Sequence, residues 1–192
     1  VTHVFFAVLA AAALPASWNA VIKVSNAAFI PLAIIGVFAG VVALPMAFYF
    51  GLPATGSWAW LLASLIIHLG YYVFLGKAYK TGDLGIVYPI ARGVAPLLTT
   101  IAGTLFFGEK VSGPALVGIC FIIAGVLILS LVRTRGITRI DNHALMFAFL
   151  TACTVSAYTF ADGFGARASG NAHGYIAWLF VTDGIAIGAL AY

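Results

Sequence analysis

Long apolar runs alternating with short polar corners account for the whole chain. Seven runs stand out: about Val1–Val21, Ala28–Phe50, Trp58–Gly76, Leu84–Phe107, a run from Ser112-Gly113-Pro114 to Val132, Ala144–Ala161, and one starting near His173. A helix rises about 1.5 Å per residue, and about 20 apolar residues cross the ~30 Å of hydrocarbon in a bilayer. Each run therefore reads as a membrane-spanning helix. Between Lys23 and Lys77 there is no Asp, Glu, Lys or Arg, and only the break Gly51–Ser57 divides that stretch in two. The predicted fold class is all-α, a polytopic membrane helical bundle with about seven transmembrane helices.

The run Leu84–Phe107 departs from this pattern, because it carries Arg92 between Pro89 and Pro96. Eight residues past Leu84, the backbone of Arg92 lies about 12 Å into the layer, close to its middle. A charge at that depth faces a protein interior, a wet cavity or a counter-charge. Each proline lacks an N–H and deprives the carbonyl four residues back of its donor, at Gly85 and Arg92, so this run is expected to be an interrupted helix. Helical spacing from Arg92 gathers Tyr88, Ala95, Thr99 and Gly103 on one face, a polar and small stripe that reads as a solute pathway. The plainer reading is that Arg92 snorkels along the helix or clamps a neighbouring helix end.

Other polar positions fall into faces of the same kind. His68, Tyr72 and Tyr79 recur near helical spacing on the third run, a second polar face able to look at Arg92. A lone membrane histidine is also at home as a hydrogen-bonded structural residue. In the first run Asn19 shares a face with Lys23. Trp18 reads as an interfacial anchor or as a cavity wall beside Asn19. Gly36 and Gly40 form a GxxxG pair, which suits close helix packing. Asp183, ten residues past His173, is a second charge near mid-membrane, and Arg92 is expected to meet Asp183 or Asp162 across a central cavity. Asp162 also reads as a cap on the end of the sixth helix. Glu109, near the start of the fifth, is explained by capping and the helix dipole, with a gating role as the alternative.

With 64% hydrophobic and 7% charged residues and a mean hydropathy of +1.13, the chain has too little polar surface for a soluble domain. Its formal charge of +4 resides mostly in short corners, where it sets topology and gives nucleic-acid binding no support. Cys120 and Cys153 lie in apolar runs without CxxC spacing, so no disulfide is expected. There is no ATP-binding loop, which points to a gradient as the energy source. The segment Phe6–Ala11 matches Phe147–Ala152 in part, which suggests a repeat; an odd number of helices in each copy turns the second one over.

The run GDLGIVYPIARGVAPLLTTIAGTLFFGEKVSGPALVGICFIIAGVLIL joins a proline-containing helix, the corner Gly108-Glu109-Lys110 and a helix with Gly118 and Gly125. It resembles the end of the first repeat of EamA-type transporters, in the drug/metabolite transporter superfamily. The resemblance implies ten helices in two inverted five-helix repeats and movement of small metabolites by alternating access. The chain then divides into a first repeat over 1–132, a basic linker over 133–142 and the start of a second repeat over 143–192, as part of a longer protein.

The expected function is a gradient-driven secondary transporter of small metabolites or drugs in the cell (plasma or inner) membrane. Its partners are a small-molecule substrate and the lipid bilayer, with a homodimer left open and no cofactor expected. The substrate-binding candidates are Arg92, Tyr88, Thr99, His68, Tyr72, Asn19, Trp18 and Asp183. The competing readings are a membrane enzyme and a haem-binding electron carrier. The first lacks paired carboxylates or metal-ligand spacing, and the second rests on His3, His68, His143 and His173 lying on different spans. The orientation is contested. Lys23, Lys77, Lys80, Arg133, Arg135 and Arg139 follow odd-numbered spans and put the start of the first span outside, whereas the resemblance implies the cytoplasm.

Overall fold

The structure, a computed structural model, describes residues 29–133 and 141–192. The expected first span, with Trp18 and Asn19, and the residues Arg135 and Arg139 of the basic linker lie outside the described residues. Six helices follow: α1 (Phe29–Phe50), α2 (Trp58–Thr81), α3 (Leu84–Phe107), α4 (Gly113–Arg133), α5 (Asn142–Ala168) and α6 (Ala172–Ala191), with a single 3-10 turn, Thr55–Ser57, before α2. Five of them, all but α4, are long and apolar enough to cross a membrane, and α4 adds an apolar stretch over Gly113–Val126. The chain is a multi-pass helical membrane protein.

Short polar residues at the corners start the helices. Asp83 accepts from the Gly85 N–H at 2.7 Å, Asp141 from the His143 N–H at 2.8 Å and Asn171 from the Gly174 N–H at 3.0 Å, each satisfying a donor that has no intrahelical partner. Two expectations are corrected here. α3 is one continuous helix through Pro89 and Pro96 rather than an interrupted one. The sixth span does not end at Asp162: α5 runs on to Ala168, because Asp162 turns into the bundle and is hydrogen-bonded there instead of capping an end.

Packing joins helices distant in sequence. α1 lies against α6, α2 against α5, and α3 against both α4 and α5. Along the first pair Gly36 meets Ile187, Gly40 meets Gly184 and Phe48 meets Trp178, so the two helices run antiparallel. The pair Ser64 with Asp162, and then Phe74 with Phe147, makes α2 and α5 antiparallel in the same way.

In lipid no hydrophobic force drives helices together, so close backbone approach carries the association. The GxxxG pair expected to pack does so against a second one, Gly184 and Gly188. A Cβ on Gly184 would sit 2.8 Å from the carbonyl of Gly36, and one on Gly40 would sit 2.9 Å from that of Phe180. The surfaces turned away from the bundle are apolar, with Phe38, Phe48, Leu105 and Phe121 all strongly exposed, as a lipid-facing belt requires.

Candidate functional site

The polar side chains of α2, α3, α5 and α6 converge near the middle of these helices. Arg92 of α3 donates a long hydrogen bond of 3.4 Å to the hydroxyl of Tyr71, and its guanidinium lies 5.9 Å from the centre of that ring. Tyr158, Tyr88 and Tyr79 also surround it closely enough to interact electrostatically. The expected ion pair does not form among the described residues, because both carboxylates are engaged elsewhere. Oδ2 of Asp183 accepts from Tyr72 at 2.8 Å, and Oδ1 of Asp162 accepts from Ser64 at 2.5 Å. Arg92 thus sits among neutral phenols, which offset its desolvation only in part and leave donors for a ligand.

The second polar face forms the other side of the cluster. His68 stacks on Tyr158 with centroids 4.1 Å apart, and Tyr158 stands edge-on to Tyr71 at 6.0 Å. Nδ1 of His68 lies 3.0 Å from the Ser64 carbonyl and 3.1 Å from its hydroxyl. A carbonyl only accepts, so Nδ1 carries a proton, and whenever the ring is neutral Nε2 is an acceptor. Tyr71 and Tyr72 are adjacent in sequence, with rings 5.3 Å apart, and so link the surroundings of Arg92 to Asp183. Thr99 donates to Ala95 O at 3.0 Å and reaches Oγ of Ser156 on α5 at 3.1 Å.

The sequence-derived candidates Arg92, Tyr88, His68, Tyr72 and Asp183 therefore share one neighbourhood, Thr99 lies along the α3–α5 seam, and Trp18 and Asn19 are outside the described residues. Residues not singled out from sequence complete the cluster: Ser64, Tyr71, Ser156, Tyr158 and Tyr175. Ser64 and Tyr71 carried a signal, since they continue the helical spacing of His68 and Tyr72; Tyr158 lies one turn before Asp162. Glu109 folds back so that Oε2 would lie 2.7 Å from a Cβ on Gly103, outside this cluster.

Other clefts lie away from this cluster. One of about 840 Å³ between α3 and α4 is lined by Leu97, Ile101, Leu105 and Ile119, and one of about 540 Å³ has Trp58 and Trp178 in its wall. Both are apolar and contain none of the candidates. Among the described residues no group of three or more His, Cys, Asp or Glu is arranged to hold a metal ion. His68 lies mid-helix, whereas His143 and His173 are exposed at the starts of α5 and α6, so these three share no depth at which two would ligate one haem iron. Nor is Ser64 with His68 and Asp162 a nucleophilic triad, since the serine hydroxyl donates its hydrogen bond to the carboxylate directly and the histidine does not lie between them.

The model of the EamA-like transporter family matches residues 2–131. Multidrug resistance protein EbrB of Bacillus subtilis (strain 168) is 40% identical over 73 residues, 38% of this chain and 62% of the relative. Multidrug resistance protein EbrB of Bacillus atrophaeus is 38% identical over 73 residues, with the same coverage. Uncharacterized membrane protein YvaE of Bacillus subtilis (strain 168) is 33% identical over 117 residues, 59% of this chain and 92% of the relative. The chain thus spans about three fifths of the length of the two EbrB relatives. No solved structure matches.

Proposed function

Because the chain belongs to the EamA-like transporter family, we propose that it acts as a gradient-driven secondary transporter, moving a small metabolite or drug across the plasma membrane by alternating access. The observation that carries this reading is a guanidinium held mid-helix by Tyr71 and flanked by Tyr158, Tyr88 and Tyr79, with no carboxylate partner among the described residues. Such a group has donors to spare in a medium that otherwise offers a solute none. Phenol rings around it supply apolar faces and hydroxyls that suit organic solutes of varied shape. The relatives' designation as multidrug resistance proteins is in keeping with that breadth.

Two inverted repeats are a natural frame for this chemistry. α1 and α6 are the second helices of the two proposed repeats, and they run antiparallel with matching GxxxG pairs in contact. That is the relation a two-fold axis in the membrane plane would impose. On that division the polar cluster would lie where α2 and α3 of the first proposed repeat meet α5 and α6 of the second.

Reconstitution of the full protein into liposomes tests the proposal. Uptake of radiolabelled amino acids and cationic drugs is measured with and without an imposed pH gradient. Accumulation of at least one solute that collapses in Arg92→Ala is the expected result. Transport unchanged by Arg92→Ala would move the solute site elsewhere.

A further inference from the structure

Beside the tyrosines of Arg92 lies a second group of side chains with the opposite character. Asp183 is 5% exposed, and its Oδ1 has no hydrogen-bond partner although Oδ2 is held by Tyr72. The hydroxyl of Tyr175, a fully buried residue two turns earlier on α6, has no partner at full hydrogen-bond geometry and lies near enough to Asp162 to interact with it. His68 is close enough to act electrostatically on both Asp162 and Asp183, and the two carboxylates act on one another. An isolated buried carboxylate is costly in lipid, and two of them near each other are more so. What the group holds in excess is acceptors: Oδ1 of Asp183, the second oxygen of Asp162 and Nε2 of neutral His68. What it lacks is a positive charge.

We propose that Asp183, Asp162 and His68, the acidic half of the polar cluster, form a proton-binding site linked to Arg92 by the adjacent residues Tyr71 and Tyr72. The surroundings leave few other sources of compensation. α2 presents Tyr72, His68 and Tyr71 to Asp183, α5 presents Asp162 together with Tyr158 stacked on His68, and α6 itself contributes Tyr175. α1, which packs most extensively on α6, has Tyr49 as its single titratable residue, exposed near its far end. With both carboxylates ionised and His68 neutral the group carries two negative charges; a proton on His68 and another on one of the carboxylates make it neutral. A metal ion is a poorer fit, as the described ligands are not grouped to hold one. Occupancy of this site would be felt at Arg92 through the Tyr72 and Tyr71 hydroxyls, whose hydrogen bonds end on the two charges. Its use in coupling rests on the transporter reading, but proton binding itself does not.

Infrared difference spectroscopy of the full-length protein in lipid vesicles, acidic minus alkaline buffer, tests the site directly. A carboxylic acid in apolar surroundings absorbs at a higher C=O frequency than a solvent-exposed one. The expected result is such a band growing on acidification, lost in Asp183→Asn, diminished in Asp162→Asn, and kept in Glu109→Gln. His68→Gln should shift the midpoint at which it appears. Should Asp183→Asn fail to fold, Tyr72→Phe keeps the carboxyl but removes its donor, and the band must move. A band that survives both Asp variants, the absence of any titrating apolar carboxyl, or suppression of the band by sodium at constant pH would each overturn the proposal. A titrating Asp183 band in a protein that moves none of the screened solutes supports the proton site and counts against the solute reading alone.

Discussion

The hydroxyl of Tyr72 donates a 2.8 Å hydrogen bond to Oδ2 of Asp183, across 111 residues of sequence. It is the only hydrogen bond given to that carboxylate among the described residues, since Oδ1 is buried without a partner. One phenol therefore fixes the register of α6 against α2 and stands between an acidic and a basic half of the polar cluster.

Removing it should be felt in stability. Tyr72→Phe leaves a buried carboxylate without a donor, a loss of about 1–3 kcal/mol. Thermal unfolding in detergent should register this, and a double-mutant cycle with Asp183→Asn should be non-additive because the two residues are in contact. Additive effects would mean that the bond contributes nothing.

Arg92→Lys keeps the charge but loses the planar face that lies over Tyr71. Solute uptake is expected to fall by about tenfold, equivalent to about 1.4 kcal/mol of binding, with protein yield unchanged. Uptake at the level of the unaltered protein would show that charge alone suffices.

At the α1–α6 seam, Gly184→Ala introduces a methyl 2.8 Å from the Gly36 carbonyl, which neither backbone can yield without shifting. Overpacking of this kind costs about 1–3 kcal/mol. Gly118→Ala, with nothing within 4 Å of the added carbon, is the matched control and should leave the melting temperature in place.

The contact between Thr99 and Ser156, 3.1 Å between hydroxyl oxygens, offers a covalent check on the α3–α5 seam. After Cys120 and Cys153, both free thiols, are replaced by alanine, Thr99→Cys with Ser156→Cys should form a disulfide under mild oxidant. Proteolytic cleavage in the 134–140 segment then leaves the halves joined until reductant is added; fragments that separate without reductant would contradict the seam.

Asp83→Ala and Asp141→Ala each remove an N-cap and should cost about 1 kcal/mol apiece. Both positions are exposed and away from the cluster, so transport per folded molecule should be unaffected.

Much of this molecule is legible in one dimension. Lipid offers no hydrogen bonds, so every spanning segment must satisfy its own backbone, and a run of apolar residues of the right length can only be a helix. That is why the spans over α1 to α4 were readable to within a few residues, and why Arg92 and Asp183 stood out as charges needing a polar interior. His68 and Tyr72 were readable as one face for the same reason, helical spacing being a local property. The prolines misled, because Pro89 and Pro96 remove hydrogen bonds without ending α3.

Which face meets which was not legible. Outward and inward surfaces are both apolar in a membrane protein, so periodicity barely distinguishes them, and helix pairing rests on contacts such as Gly40 with Gly184 or Ser64 with Asp162, between residues remote along the chain. Asp162 read as a helix end because its acceptor needs looked local; Ser64, 98 residues earlier, meets them and lets α5 continue. Sequence alone determined that there are buried charges in a helical membrane bundle. Only the tertiary structure decided that tyrosines for Arg92 and Asp183 and a serine for Asp162, and not each other, are their partners, because desolvation demands some polar neighbour for each charge while the packing of distant helices selects which one it finds.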